Sequence, residues 1–153
     1  MIKHVIKASV LLAAVAVFGA TVAISAEKDP LAPRVPPDQI ADAKKAKSPI
    51  PSNPATIAEG KAIFDGKGTC FTCHGMEGKG DGPAAAGLDP SPRNFVGEKP
   101  GDGKKFTGAK TEGEMMWVLK NGSPGTAMIP MVGSVITEEE GWKAILYERS
   151  LAK

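Results

Sequence analysis

Cysteine and histidine are scarce in this chain of 153 residues, which contains two of each. One histidine, His4, precedes an apolar run near the start, so a chain that has lost that segment keeps only His74. A structural zinc site takes four sulfur or imidazole ligands. Because two cysteines and one adjacent histidine do not supply them, the composition argues against a zinc-stabilised fold.

Net charge is also absent once the first residues are set aside. The chain has 19 basic and 17 acidic residues, and removal of Lys3 and Lys7 with the leader leaves 17 of each. Nucleic-acid binding depends on clustered lysine and arginine facing phosphates, so we expect no nucleic-acid partner. The sequence also has no internal repeat and no phosphate-binding glycine loop followed by a helix.

The first 26 residues have the pattern of an export segment. Lys3 and Lys7 give a basic start, residues 8–24 form an uncharged apolar run, and small residues at its end suit signal peptidase. The run lies at the lower edge of what spans a bilayer, roughly 17 to 25 residues. We predict that residues 1–26 are a signal peptide or an N-terminal anchor, with residues 8–24 as the membrane tether in the second case. Either way, the protein is expected to be periplasmic or otherwise extracytoplasmic.

Residues 27–55 differ from the rest because they hold seven of the 13 prolines and almost no large apolar side chain. Proline fixes the backbone and makes such a segment a semi-rigid spacer. The sequence leaves two alternatives open, a solvated tether or an arm packed on the domain. We place the domain itself at residues 56–153.

Three matching helix starts occur in that domain. Capping boxes are predicted at Thr56 with Glu59, Thr111 with Glu114, and Thr137 with Glu140, each ahead of an apolar pattern with helical spacing. Over thirty residues between the first and second helices are rich in glycine and proline, and loops of that length usually serve a function or wrap around something. The pattern indicates an all-α domain with about three main helices and long loops.

Both cysteines lie in the short stretch Cys70-Phe71-Thr72-Cys73-His74. A thioredoxin-like dithiol normally follows a strand in an α/β unit, and no strand pattern surrounds this one. A disulfide across two intervening residues gains little chain-entropy stabilisation. Covalent haem attachment uses every residue, since each thiol bonds one vinyl group and the adjacent His74 takes an axial position on the iron. We therefore predict one covalent haem c, around which the long loops fold.

With these residues in view, the stretches "CFTCHGMEGKGDGPAAAGLDPSPRNF", "GEMMWVLKNGSPGTAMIP" and "ITEEEGWKAILYERSL" resemble a class I monohaem c-type cytochrome. The resemblance covers about Pro54 to Leu151 and implies the cytochrome c fold. It also implies that the methionine of a G-T-x-M-x-P loop, here Met128, is the second axial ligand. The carbonyl of Pro83 is similar in place to the proline that accepts the proton of the histidine ligand.

The sixth ligand can also be approached by elimination, since no second histidine remains in the mature chain. Met76 is too close to His74 in sequence to reach the other face of a haem, and Met115 and Met116 open a predicted helix as core residues. Met128 and Met131, in a glycine- and proline-rich loop, stay as the two candidates.

Two further residues are candidates for the haem pocket. Arg93 is expected either to meet a haem propionate or to be a solvated loop residue. Trp117 is expected either to donate its indole N–H to a propionate or to be core. The predicted cofactor-binding set is Cys70, Cys73, His74, Pro83, Arg93, Trp117 and Met128, with His74 and Met128 on the iron.

A haem with histidine and methionine on its iron has no open coordination site and passes single electrons. The first hypothesis is thus an electron carrier rather than an enzyme, with a redox-protein donor and acceptor as partners. The alternatives are a haem subunit of a larger oxidoreductase complex, and a haem enzyme or sensor with a labile sixth ligand. A positive face for an acidic partner is a further interpretation, carried by Lys79, Lys99, Lys104, Lys105 and Lys110.

Overall fold

The computed structural model describes residues 34–96 and 110–152. These residues form five helices, which are α1 (Ile40–Lys45), α2 (Pro54–Asp65), α3 (Phe71–His74), α4 (Glu112–Asn121) and α5 (Glu138–Ser150). Within the same ranges, β pairing is limited to one bridge between Val132 and Ile136. The all-α prediction is therefore confirmed. No described helix is long and apolar enough to cross a membrane, and the predicted export segment at 1–26 lies outside the described residues.

Two of the three predicted helix starts are confirmed by reciprocal hydrogen bonds. At the start of α4, the Glu114 backbone N–H donates to Thr111 Oγ1 at 3.2 Å, and the Thr111 N–H donates to the Glu114 carboxylate at 2.8 Å. At the start of α5, Thr137 and Glu140 make the same pair of bonds at 3.2 and 2.7 Å. Each box satisfies two backbone donors that a helix start leaves unpaired.

The predicted start of α2 at Thr56 is wrong. Asn53 is the N-cap, and its side-chain oxygen accepts from the backbone N–H of Ala55 at 2.9 Å and of Thr56 at 3.0 Å. Thr56 closes this box by accepting the Asn53 N–H at 3.1 Å. Asparagine is a strong N-cap and proline is favoured at the first helical position, so the helix begins at Pro54, inside the segment assigned to the arm.

The core forms where α2 crosses α5. Phe64 and Ile145 are fully buried, and the Phe64 and Tyr147 rings form a T-shaped pair with 5.3 Å between their centroids. The backbones approach most closely at Gly60, where an added Cβ would lie 2.0 Å from the Lys143 carbonyl oxygen. This crossing fixes the end of α2, and with it the cysteine motif that follows within a few residues.

The described part of the proline-rich arm packs against α4. Val35 is buried, and the indole N–H of Trp117 donates to Gln39 Oε1 at 2.8 Å. The Ser48 N–H donates to Glu112 on the same helix at 3.0 Å. Of the two alternatives, the packed arm is therefore the one observed from residue 34 onward. Both expectations for Trp117 are wrong, because the half-buried indole faces the arm and does not line the cavity described below.

Gly113→Ala is expected to release this arm. An added Cβ at Gly113 would lie 1.9 Å from the carbonyl oxygen of Ala43 in α1, although alanine favours a helix over glycine by about 1 kcal/mol. Trypsin should therefore cut the exposed arm lysines Lys44, Lys45 and Lys47 faster in the variant than in the wild type. Lys120→Ala on exposed α4 surface is the control, and equal cleavage of all three proteins would contradict the prediction.

Candidate functional site

The cysteine motif forms a single tight turn directly after α2. Cys70 caps the short helix α3, and the residue before it, Thr69, has a φ of 49°. Cys70 and Cys73 are half-buried and are not joined to one another. Burial, with a smaller contribution from the charge of Glu148, raises the pKa of the Cys70 thiol to about 12. A reactive redox cysteine has a lowered pKa, so this environment does not favour the dithiol alternative.

His74 is held in one orientation by its surroundings. Its Nδ1 lies 3.0 Å from the carbonyl oxygen of Arg93, and the Phe95 ring stacks on the imidazole with 4.7 Å between centroids. Burial lowers the pKa of His74, so the ring is neutral. An Nδ1–H that donates to a carbonyl leaves Nε2 with its lone pair, which is the state a metal ligand requires.

The expectation for Pro83 is wrong. The carbonyl beside His74 Nδ1 belongs to Arg93, and Pro83 is exposed. The segment that carries Arg93 and Phe95 passes over the imidazole, and it is anchored by the Phe95 N–H donating to the Gly78 carbonyl at 2.7 Å. Stacking of Phe95 on the ring therefore brings this segment, rather than the Pro83 loop, within hydrogen-bonding distance.

A cavity of about 400 Å³ adjoins the motif, and its lining includes Cys70, Cys73 and His74. This volume is within the roughly 300 to 1,000 Å³ range of small-molecule and cofactor sites. The lining is largely apolar, and it includes residues from the arm, α4, the loop after α4, and α5. Elements that are far apart in the sequence thus meet around one cavity.

Both candidate methionines line this cavity, but their surroundings differ. Met131 is 8% exposed, belongs to the core cluster, and donates its N–H to the Leu119 carbonyl at 2.8 Å. Met128 is half-buried in a loop closed by bonds from its N–H to Thr126 Oγ1 at 3.1 Å and from the Ser123 N–H to its carbonyl at 2.9 Å. Of the other methionines, Met115 and Met116 are buried on α4, as expected, and Met76 is 55% exposed.

The lining of the cavity also includes positive charge. Arg34, Arg93 and Lys110 all line the cavity. Burial, together with repulsion from Arg93 and Arg34 among others, lowers the pKa of Lys110, while Glu114 acts in the opposite direction. Anionic groups bound beside these three cations would be stabilised by them.

The proposed positive docking face is not supported by the two of its lysines that the structure describes. Lys79 is paired with Glu77, and Lys110 is half-buried at the cavity. Lys99, Lys104 and Lys105 lie outside the described residues.

Several cavity residues were not predicted from the sequence. Arg34 and Val35 belong to the arm, and Phe95 stands alone in an irregular loop, so no periodic pattern marks any of them. Glu148 did carry a signal, because it follows Ile145 by three residues and so shares its buried helical face.

These residues suit a covalent haem c. One largely apolar cavity is lined by two thiols, by a neutral and oriented imidazole, by two candidate thioethers and by cations suited to propionates. The fold and site together define a small c-type haem protein.

Comparison with known proteins agrees. The model of the cytochrome c family matches residues 57–152, and the chain belongs to this family. It is accordingly a haem-binding electron-transfer domain with covalently attached haem c. No curated protein matches the sequence.

Among solved structures, the chain is similar to a chain of the reducing HAO-like protein complex Kustc0457/Kustc0458 of Kuenenia stuttgartiensis. The two are 28% identical with a TM-score of 0.57, over 69% of this chain and 48% of that chain. The match thus spans about half the length of that structural neighbour.

Proposed function

We propose that this protein is an exported one-electron carrier whose haem c is bonded to Cys70 and Cys73 and ligated by His74 and Met128. The observation that carries the proposal is the neutral imidazole of His74, oriented by the Arg93 carbonyl, in a cavity that Met128 also lines. Methionine opposite histidine raises the reduction potential of a haem.

Each residue has a separate task in this proposal. Cys70 and Cys73 hold the porphyrin through thioether bonds, and the Arg93 carbonyl keeps the His74 ring in one tautomer. The haem propionates are bound by Arg34, Arg93 and Lys110, because hydrogen bonds between a cationic side chain and a carboxylate are strong. The haem itself supplies a reversible one-electron Fe(II)/Fe(III) couple.

Aromatic packing around His74 suits it to the role of a fixed haem ligand. Phe64 and Phe95 flank His74, with ring centroids 6.4 and 4.7 Å from that of the imidazole. With His74 and Met128 as its protein ligands, a bound haem would have no coordination position left for oxygen or peroxide. The chain then passes electrons between a donor and an acceptor protein and turns over no substrate.

A second candidate is a fixed haem subunit of a larger oxidoreductase. It is favoured by the likeness to a chain whose solved structure is that of a protein complex, and which is about twice as long as the matched part. In such a subunit, residues 1–26 would serve as the anchor, and the arm is packed on the domain from residue 34 onward. Co-purification of a second protein under mild conditions would support this candidate over a free carrier.

The deciding experiment is the optical spectrum of the full chain produced in an exporting host that attaches haem. Spectra are recorded oxidised and reduced, before and after addition of carbon monoxide. Low-spin bands that do not change with carbon monoxide are the expected result. Rapid formation of a carbon monoxide complex would overturn the carrier and indicate an enzyme or sensor with a labile sixth ligand.

A further inference from the structure

One acidic side chain in the cavity has no role in the haem binding proposed above. Glu148 on α5 is only 6% exposed, and it lines the same cavity as the two cysteines and His74. Its carboxyl makes no hydrogen bond or ion pair with any residue that the structure describes. Glu114, the other buried acid in the lining, differs because its carboxylate accepts the Thr111 N–H at 2.8 Å.

Acidic groups, rather than cations, interact with Glu148 from the neighbouring elements. The negative charge of Glu148 contributes to raising the pKa of Cys70 in the motif and of Tyr147 on its own helix. Asp65, at the end of α2, acts on the same two groups in the same direction. Cys70, Tyr147 and Asp65 are therefore the titratable groups around Glu148. These three groups are neutral or negative, and the cation beside them, Lys61 of α2, is paired with Asp65 and lies 5.7 Å from the centroid of the Tyr147 ring.

No cation that the structure describes is paired with Glu148. Arg149, the next residue along α5, contacts Glu112 at 3.7 Å and the Lys110 carbonyl at 3.1 Å. Three cations line the cavity, namely Arg34, Arg93 and Lys110. The charge of Glu114 on α4 acts to raise the pKa of Lys110, and the charge of Glu148 does not contribute. Burial alone raises the pKa of Glu148 to about 8.

We propose that Glu148 is a redox-linked proton site, which binds one proton when the haem gains an electron and releases it when the haem is oxidised. The inference rests on the proposed electron-carrier function. The electron comes from the reduced donor protein and converts Fe(III) to Fe(II), while a proton from solvent forms one O–H bond on the Glu148 carboxylate. The charge inside the cavity is then the same before and after reduction.

The physical reason is the low dielectric of the cavity. An electron added to the haem raises the energy of a nearby negative carboxylate, and the interaction is larger inside a protein than in water. Protonation of Glu148 is therefore more favourable in the reduced state. The reduction potential must fall as the pH rises through the window in which the reduced protein holds the proton and the oxidised protein does not.

The test is a spectroelectrochemical titration of the full-chain holoprotein. Potentials are measured from roughly pH 4 to roughly pH 10, which brackets the ordinary pKa of glutamate and its raised value. The expected wild-type slope approaches about 59 mV for each tenfold change in proton concentration, the limit for one proton per electron. Glu148→Gln should flatten the slope, and Glu148→Asp should restore it in a shifted window. Glu139→Gln, an exposed acid on the same helix, should behave as the wild type.

Two outcomes of this titration would overturn the proposal. A reversible one-electron couple with a flat pH profile would leave the electron carrier intact and remove the proton site. A Glu148→Gln profile with the wild-type slope would assign the proton to another group, such as a haem propionate. Loss of the reversible couple itself, by contrast, would count against the electron-carrier function.

A second measurement uses only the wild-type protein. Reduction of the wild-type protein in weakly buffered solution with a pH indicator dye should take up protons near neutral to slightly alkaline pH. A reduced-minus-oxidised infrared spectrum of the same wild-type protein should then show a new carboxylic acid band. Reduction without proton uptake would overturn the proposal even if the glutamine variant fails to load haem.

Discussion

Met128→Ala is expected to lower the reduction potential and to open the iron to carbon monoxide, while Met131→Ala leaves both close to the wild-type values. Axial ligands set haem potentials over roughly 0.8 V, and methionine lies toward the high end. Loss of the thioether should therefore shift the potential by a measurable part of that range. Met128 is half-buried in a loop, so its side chain can reach a haem without a change in core packing.

The matched variant Met131→Ala tests the assignment directly. Met131 is packed among core residues and its backbone is tied to Leu119, so its truncation removes packing and should cost about 2 to 5 kcal/mol of stability. We therefore expect different effects from the two variants. Met128→Ala should change the reduction potential and carbon monoxide binding, and Met131→Ala should lower the unfolding midpoint. A carbon monoxide complex formed only by Met131→Ala would show that the ligand is Met131.

The features that sequence reasoning predicted best are those that depend on residues close together in the chain. The Cys70-to-His74 motif predicted the cofactor, and the boxes at Thr111 and Thr137 fixed two helix starts, because each depends on contacts only a few residues apart. The start of α2 failed for a local reason, since Asn53 followed by proline is a stronger cap than the Thr56 box three residues later.

Contacts between distant segments were the ones that sequence reasoning missed. The partner of His74 Nδ1 is a backbone carbonyl, and every residue has one, so nothing in the sequence singled out Arg93 over Pro83. Trp117 bonds to Gln39, which lies 78 residues away in a segment with no core pattern. Glu148 was overlooked because a charged residue on a helix is solvated by default, even though its position relative to Ile145 indicated the buried face.

Gly60→Ala is expected to destabilise the folded protein, although α2 would gain helix propensity. Alanine is favoured over glycine by about 1 kcal/mol in a helix interior, but its Cβ would lie 2.0 Å from the Lys143 carbonyl oxygen and 3.0 Å from the Tyr147 Cβ. Both contacts are with backbone or the base of a side chain, so neither atom can move alone. Overpacking of this kind costs about 1 to 3 kcal/mol, occasionally more, and we expect a net loss near the upper end.

The measurement is urea unfolding of the holoprotein, with Ala58→Gly as the matched variant. Ala58 is exposed on the same helix, so its change to glycine should cost only the propensity difference of about 1 kcal/mol. If propensity alone decided the result, Gly60→Ala would be the more stable protein and Ala58→Gly the less stable. Greater destabilisation by Gly60→Ala shows instead that the close crossing of α2 and α5 holds together the end of α2, and hence the cysteine motif, with the helix that carries Glu148.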